Sequence, residues 1–589
     1  MNAPDTARLE RVTAALADID EFVAARLPHL DSPGVMVGLT DREGALGFVC
    51  GGFADVASGT PVEPDTRFQI GSISKSFAAA IMLQEHDAGH VDLQAPVTDY
   101  VPWFAVRSRF GPITLHHLLS HTSGLIMGTE FTAEARGAVW TLRETDTGFA
   151  PGERFWYSND GYKLVGLALE AVTGRPVHEL VAERLVAPLG MAATETTIRR
   201  DSVLPAATGY ERRGDDRPAH AGRPLDVAQL VESCSADGSI VSSAADMLAY
   251  ARLILNRGDA PGGRLLSEAA FERWSASVIE DPDEPGSFYG YGLVSRTIDG
   301  HPCIGHSGGM VGFNSLLVTE TETGLGVIVL LNGSGDRMEI ATYALAAVRA
   351  ALAGAPAPPP APPADPAVIG VAPGDYVGEY VLADADAAVS FDAAGPPDAV
   401  VSFDAAASPA TAVSSDAAVS PAARLVFAAR DGRLALVTPT GDEIVLERRD
   451  DDLFLAPRPG WDRFHLRFER GGGVAVVALS FGPDWYARAG HIAPPAPAAD
   501  PSWAQLAGTY RSYNPWTPVF RVFGRRGRLL MSAPWLYPSD ELELVPLSDG
   551  RYRVGAADWL PDRLSFDTVI DGRAIRAVFS GAPFYRTFT

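Results

Sequence analysis

Ser72 and Lys75, in Phe68-Gln69-Ile70-Gly71-Ser72-Ile73-Ser74-Lys75, stand three positions apart ahead of an apolar helical run through Phe77, Ile81 and Leu83 that stops at Gly89. At the start of a helix this spacing sets both side chains on one face about a turn apart. A serine hydroxyl is a poor nucleophile until a base takes its proton. A lysine desolvated at the positive end of a helix is pushed toward the neutral amine that can do so. The chain has only two lysines, Lys75 and Lys163, among 48 Lys and Arg residues. Guanidinium cannot act as a base, so lysine at position 75 of so arginine-rich a chain fits the chemistry. Alone, the pair also fits an ordinary surface helix start.

Two further segments carry chemistry. Tyr157-Ser158-Asn159 lies between the turn Pro151-Gly152 and a helix expected to start near Tyr162. One projecting loop would then present a phenol for proton transfer and an amide for a substrate carbonyl. In Gly305-His306-Ser307-Gly308-Gly309-Met310, glycines at a strand edge let a substrate lie alongside, and a backbone N–H there can serve an oxyanion hole. Each segment alone also reads as a turn.

In the order Ser-x-x-Lys, Tyr-x-Asn, His-x-Gly, the three together resemble the penicillin-recognising serine hydrolases, in the branch similar to class C β-lactamases, D-aminopeptidases and esterases. Leu118-Leu119-Ser120-His121-Thr122-Ser123-Gly124-Leu125 is similar to a segment that many members carry before the tyrosine motif. The resemblance covers residues from about 34 to 350. It implies Ser72 as nucleophile, Lys75 and Tyr157 sharing the base role, and His306 supporting Tyr157 electrostatically. Asn159, Ser307, Gly308 and Gly309 would hold substrate, with the N–H groups of Ser72 and Gly309 forming the oxyanion hole. His306 departs from the lysine of true β-lactamases. A histidine is charged only part of the time near neutrality, which weakens selection for carboxylate-bearing substrates.

The reading that follows is hydrolysis of amide or ester bonds through an acyl-Ser72 intermediate, as in D-aminopeptidases, amidases or esterases. Alternatives are an acyltransferase or peptide-cyclising thioesterase using the same intermediate, a D-Ala-D-Ala carboxypeptidase or β-lactamase, and a non-catalytic penicillin-binding-type protein. A small molecule or short peptide is the expected substrate, and a homodimer is one assembly to test. No cofactor or metal is expected. His116, His117 and His121 are close in sequence but lack an accompanying ligand set, and Cys50, Cys234 and Cys303 show no metal-ligand spacing. Trp103, Trp140 and Trp156 could line a cleft or pack in the core, and Arg337 could bind a carboxylate or cap a helix.

A net charge of −25 without a Lys/Arg block argues against nucleic acid or an anionic membrane as partner. The N-terminal stretch has charges throughout and no signal-like apolar run, so a cytoplasmic location is expected.

The elements that must position these residues give an α+β fold. Leu9, Val12, Leu16, Ile19, Val23 and Leu27 predict an amphipathic helix ended by Pro28. Strands are expected at 34–40, 45–56, 291–298, 312–319 and 325–331, and an alanine-rich helix over 336–353. These make one antiparallel sheet flanked by helices, with a helical subdomain between its two halves. This β-lactamase-like catalytic domain, 1–353, precedes a Pro/Ala-rich linker at 354–370. Beyond it Gly378-Glu379-Tyr380 answers Gly508-Thr509-Tyr510, and Gly432-Arg433-Leu434 answers Gly527-Arg528-Leu529. Two copies of a β-rich module follow, 371–490 and 501–589, and the family resemblance implies small antiparallel barrels of lipocalin-like form. The first copy carries a low-complexity insert, 382–423, with Val-Ser-Phe-Asp-Ala-Ala repeating at 389 and 401.

Overall fold

Two continuous apolar runs, β1 (Gly34–Thr40) and Gly326–Leu331, are buried at every position, while β2 (Ala45–Asp55), paired with β1, is only partly buried. Runs apolar at every position, rather than alternating, belong to strands covered on both faces. The computed structural model describes residues 3–128, 132, 134–202, 204–214, 216–363, 373–384, 424–472, 475–534 and 541–587.

The sheet continues with β3 (Thr60–Pro61), β4 (Ile279–Glu280), β5 (Phe288–Tyr289), β6 (Val294–Ile298), β7 (His301–Met310), β8 (Phe313–Glu320) and β9 (Gly326–Leu331). Its order is β4-β5-β6-β7-β8-β9-β1-β2-β3, so strands from both ends of the domain meet where β9 pairs antiparallel with β1. Side chains alternate between faces. Val35, Val37, Leu39, Val327, Val329 and Leu331 pack with helices α1 (Ala3–Arg26) and α5 (Arg337–Leu352). Met36, Ile328 and Leu330 face the other core, with α2 (Ser74–Asp87), α3 (Asn159–Thr173) and α4 (Ala244–Leu255). Helix α2 is buried at every position from Ser74 to Leu83, as expected of a helix running through a core rather than over it.

The described residues form two compact units. One comprises Met1–Arg212, Leu225–Pro363 and Trp559–Asp562. The other comprises Arg213–Pro224, Ala364–Asp558 and Arg563–Thr589. This partition differs from a simple cut at 353. Both β-modules fall in one unit, and two short segments belong with the unit remote from them in sequence. The reason at 213–224 is a buried carboxylate in the second unit. Asp462 has no exposed surface and is met by His220 at 3.0 Å, by Arg217 at 3.3 Å and by Arg223 at 2.5 Å, all from that segment. Burying a carboxylate costs several kcal/mol unless such partners surround it.

Within the second unit, nine antiparallel strands from Gly378–Asp384 to Asp484–Arg488 form the first module. Its two edge strands, Glu443–Val445 and Glu447–Asp450, are joined through Leu446, so the sheet is nearly closed. The second module is a closed eight-stranded barrel from Gly508–Arg511 to Ala582–Arg586. The duplication extends to hydrogen bonding. The hydroxyls of Tyr380 and Tyr510 each donate to the carbonyl four residues earlier, Tyr376 and Leu506. Arg488 and Arg586 each donate to carbonyls at the start of their own module, Val377 and Ala507. The repeats at 389 and 401, and all but the first three residues of the expected insert, lie outside the described residues, as do 364–370 of the linker.

Helix α3 starts three residues earlier than the sequence pattern suggests because Ser158 caps it. The Ser158 hydroxyl accepts from Gly161 N–H at 3.0 Å and donates to the Ile126 carbonyl at 2.6 Å, both buried. Ser158→Ala should lower unfolding free energy by about 1–2 kcal/mol, the usual cost of a lost cap and an orphaned carbonyl. Urea unfolding measures this, and a change below about 0.3 kcal/mol would remove the cap from the account.

Candidate active site

Ser72 lies in a single 3₁₀ turn, Gly71–Ile73, that leads into α2. The turn is held from two sides. Ile70 N–H donates to the Ile240 carbonyl at 3.0 Å, and the Ser315 hydroxyl of β8 donates to the Ile70 carbonyl at 2.8 Å. Gly71 has φ +52, and a Cβ there would meet the Gly309 backbone at 2.6 Å. Only glycine allows the serine turn to lie so close to β7. Ser72 itself remains partly accessible.

Lys75 is wholly buried, and its ammonium makes three hydrogen bonds. It donates to Ser72 Oγ at 2.9 Å, Asn159 Oδ1 at 2.7 Å and the Asp237 carbonyl at 2.7 Å. The amide oxygen of Asn159 and the peptide oxygen of Asp237 only accept. Of these three partners only Ser72 carries a donor, an O–H that can turn toward the lone pair when Lys75 loses a proton. The surroundings therefore aim the neutral amine at the serine proton. The ring of Tyr157 lies 4.9 Å from Lys75 Nζ. With its oxygen committed to Lys75, Asn159 retains the NH₂ as the end that can donate to a substrate carbonyl.

His306, on β7, belongs to an arrangement that sequence did not indicate. Ser158 N–H donates to His121 Nδ1 at 3.0 Å, and His121 Nε2 lies 3.1 Å from the Tyr289 hydroxyl. That hydroxyl lies 2.9 Å from His306 Nε2, while His306 Nδ1 bonds the Ser307 carbonyl. One proton assignment satisfies every link: His121 donates to Tyr289, Tyr289 to His306, and His306 to Ser307, with both imidazoles neutral. Burial, with the charge on Lys75, pushes His306 down to about 3 and His121 well below its ordinary value. His306 is thus uncharged throughout the neutral range, and its influence on Tyr157, whose ring centroid is 6.4 Å away, is not that of a part-time cation. The His121 ring is closer to Tyr157, at 4.1 Å.

The Ser307, Gly308 and Gly309 stretch divides by residue. A Cβ on Gly308 would collide with the Ile70 carbonyl and the Ser315 hydroxyl, whereas a Cβ on Gly309 would meet nothing within 4 Å. Gly308 is required by packing. Gly309 faces open space beside the serine turn, where a substrate oxygen could be received. Arg337 is committed to the Asn314 side chain at the head of α5. His116 meets the Tyr291 hydroxyl at 2.7 Å, and His117 closes a capping box with Thr114, so the three neighbouring histidines serve separate tasks. Among the described residues no cluster of His, Cys, Asp or Glu is arranged to hold a metal ion. Trp156 packs edge-on against Trp559 at 5.4 Å, and Trp103 against the half-exposed Trp140 at 6.3 Å.

The beta-lactamase family model matches residues 19–351, more than half of the chain. The chain belongs to the beta-lactamase family. Members of this family such as the D-aminopeptidases are serine hydrolases acting through an acyl-enzyme. A D-aminopeptidase of Cereibacter sphaeroides is 30% identical over 351 residues, which cover 57% of this chain and 64% of that protein. Penicillin-binding protein 4 of Amycolatopsis lactamdurans is 30% identical over 329 residues, covering 53% of this chain and 84% of that one. The octameric penicillin-binding protein homologue from Pyrococcus abyssi shares the fold, with a TM-score of 0.53 and 22% identity, over 80% of this chain and 99% of that chain. This family member therefore carries its three motifs on the family's sheet and helices, with β-modules following.

Two outcomes test the site's construction. Gly309→Ala should unfold within about 0.5 kcal/mol of the parent, while Gly308→Ala should lose more than about 2 kcal/mol through overpacking; equal losses in urea unfolding would refute the division. His306 is held below its ordinary 6.5, so the folded state refuses a proton that the unfolded state accepts. Its contribution makes stability fall as pH drops below about 6.5. By NMR its ring should remain neutral at pH 5, and a titration midpoint near 6.5 would contradict the geometry.

Proposed function

We propose that the chain hydrolyses amide or ester bonds through a covalent acyl-Ser72 intermediate, with D-aminoacyl amides or short D-peptides as its leading substrate class. The observation that carries this reading is the 2.9 Å contact between Ser72 Oγ and the amine of a wholly buried Lys75. Ser72 Oγ attacks the substrate carbonyl while its proton passes to the Lys75 and Tyr157 pair. The oxygen that becomes negative is received by the N–H groups of Ser72 and Gly309. Each such donor is worth about 3–4 kcal/mol at the transition state when it is aimed in advance. Collapse of the intermediate breaks the bond to the leaving amine or alcohol, which takes the proton back from Tyr157. Water then attacks the acyl-serine carbonyl, losing a proton to the same pair; collapse breaks the bond to Ser72 Oγ, which takes that proton back, and the carboxylic acid departs.

Three features support the substrate class. The relatives include D-aminopeptidases of this family. His306, buried and neutral, offers no fixed positive charge for a penicillin-type carboxylate. Asn159 and the open edge at Gly309 suit a peptide-like carbonyl and its flanking backbone.

Intact-mass measurement after mixing with D-alanyl p-nitroanilide, p-nitrophenyl acetate and benzylpenicillin tests the proposal. The expected result is an acyl adduct on Ser72, fast turnover of the D-aminoacyl compound, and slow or absent turnover of the penicillin. Ser72→Ala should abolish the adduct. Lys75→Ala should slow acylation by about 10²–10⁴-fold, the usual scale for a lost general base. An alanine variant at Ser72 that turns over as fast as the parent would refute the mechanism. Equal turnover of D- and L-alanyl p-nitroanilide would refute the substrate class alone.

A further inference from the structure

Lys163 is the second of the chain's two lysines, and the mechanism above does not use it. It is buried on α3, its side chain 4% exposed, and it lies between two buried carboxylates. Asp160, one turn earlier on the same helix, is 3.0 Å from Lys163 Nζ, and Asp237 is 3.6 Å away. Asp237 is also the residue whose backbone carbonyl accepts from Lys75 at 2.7 Å. Its side chain is fixed from a second direction by the Ser235 hydroxyl. Two amines and two carboxylates thus share one buried region, with Asp237 between the amines.

The groups facing Lys75 can be named element by element. The serine turn brings Ser72, the loop before α3 brings Tyr157, and the first residue of α3 brings Asn159. Helix α3 brings the Tyr162 ring at 5.7 Å, followed by Asp160 and Lys163. His121, His306 and Tyr289 complete the wall. Burial keeps both imidazoles neutral and raises the phenols of Tyr162 and Tyr289, and the carboxylates and second amine placed near Lys75 are Asp237, Asp160 and Lys163. Burial pushes the Asp237 carboxyl up, but the ammonium groups of Lys163 and Lys75 overcome this and hold it ionised; Asp160, buried beside Asp237, is raised.

We propose that the buried Asp160–Lys163–Asp237 cluster sets the pH at which Lys75 can act as a base, with Lys163 offsetting a carboxylate that would otherwise keep Lys75 as an ammonium. This rests on the assignment of Lys75 as a base for Ser72. Lys163 and Asp237 are positioning residues: they touch no substrate, and they act through the charge and the carbonyl they present to Lys75. With Lys163 in place, Asp237 is already paired, and Lys75 can give up its proton without stranding a buried anion. Without Lys163, Asp237 has only Lys75 as a cationic partner. A buried pair of that kind resists deprotonation.

The test is the pH dependence of Ser72 acylation by p-nitrophenyl acetate, read as the burst of p-nitrophenolate from the full chain between pH 5 and 10. Lys163→Met should move the midpoint of the acid limb upward by about 1 pH unit or more, and Asp237→Asn should move it downward. A loss of packing would not produce shifts of opposite sign in the two variants. Circular dichroism establishes that each variant is folded. If Lys163→Met does not fold, the downward shift in Asp237→Asn decides. Midpoints within about 0.3 of the parent, with only the plateau rate reduced, would assign the cluster a packing role and overturn the inference. Ser72→Ala, run alongside, separates the two levels: a burst that survives it refutes Ser72 as nucleophile rather than the role of Lys163.

Discussion

An ammonium group removed from water must find three acceptors, and the placing of those acceptors around Lys75 organises the catalytic unit. One comes from the turn before α2, one from the first residue of α3, and one from the loop at Asp237. Each unmet hydrogen bond of a buried charge costs several kcal/mol, so these three elements cannot drift apart independently. The same requirement explains why α2 is buried along its length. Lys75 can be dry only if the helix that carries it runs through the core, and the apolar residues from Phe77 to Leu83 provide that environment. Packing thus supplies the desolvation, and the three acceptors prevent it from unfolding the helix start.

A second set of bonds ties the tyrosine loop to the glycine strand without adding charge. Ser158, His121, Tyr289, His306 and Ser307 form an ordered chain in which every donor has one acceptor. Protonating His121 would turn its accepting Nδ1 into a donor facing the Ser158 N–H, so its neutrality is enforced by hydrogen-bond geometry as well as by burial; at His306, whose partner is a hydroxyl able to accept, burial and the charge on Lys75 do so. The chain connects positions 37 and 168 residues apart in sequence, and it places Tyr157 against a fixed ring.

The motifs, the sheet and the duplicated β-modules were legible in sequence because each is a local pattern. Ser72 and Lys75 show a helical spacing, 34–40 and 325–331 read as buried strands, and Tyr380 and Tyr510 sit in matching contexts. The residues that complete the site were not legible, because their meaning lies in contacts across the chain. Asp237 acts on Lys75 through a peptide oxygen, which any residue carries. Tyr289 sits on a two-residue strand, too short for a period to register, and its partners are distant. His121 lay in a quoted segment, but nothing in its neighbours signals a ring packed against Tyr157. The exchanged segments at 213–224 and 559–562 were missed for a related reason: a chain that leaves its unit for a dozen residues or fewer leaves no change in composition.

The overall acidity of the protein has little authority over this chemistry. Charges at the surface are screened within about 8 Å at physiological ionic strength, so a net charge of −25 reaches a buried amine only weakly. Charges buried beside Lys75 act through a medium of low polarity, where a single carboxylate within a few ångströms outweighs many at the surface. With Asp160 and Asp237 set against Lys75 and Lys163, the interior can approach local balance whatever the surface carries. An arginine in place of Lys163 would keep the charge. Its planar, longer head would have to fit a buried space that a single nitrogen now occupies, 3.0 Å from Asp160 and 3.6 Å from Asp237. A compact ammonium is the cation that fits. That gives the second lysine of an arginine-rich chain a physical reason to be lysine, distinct from the base role proposed for the first.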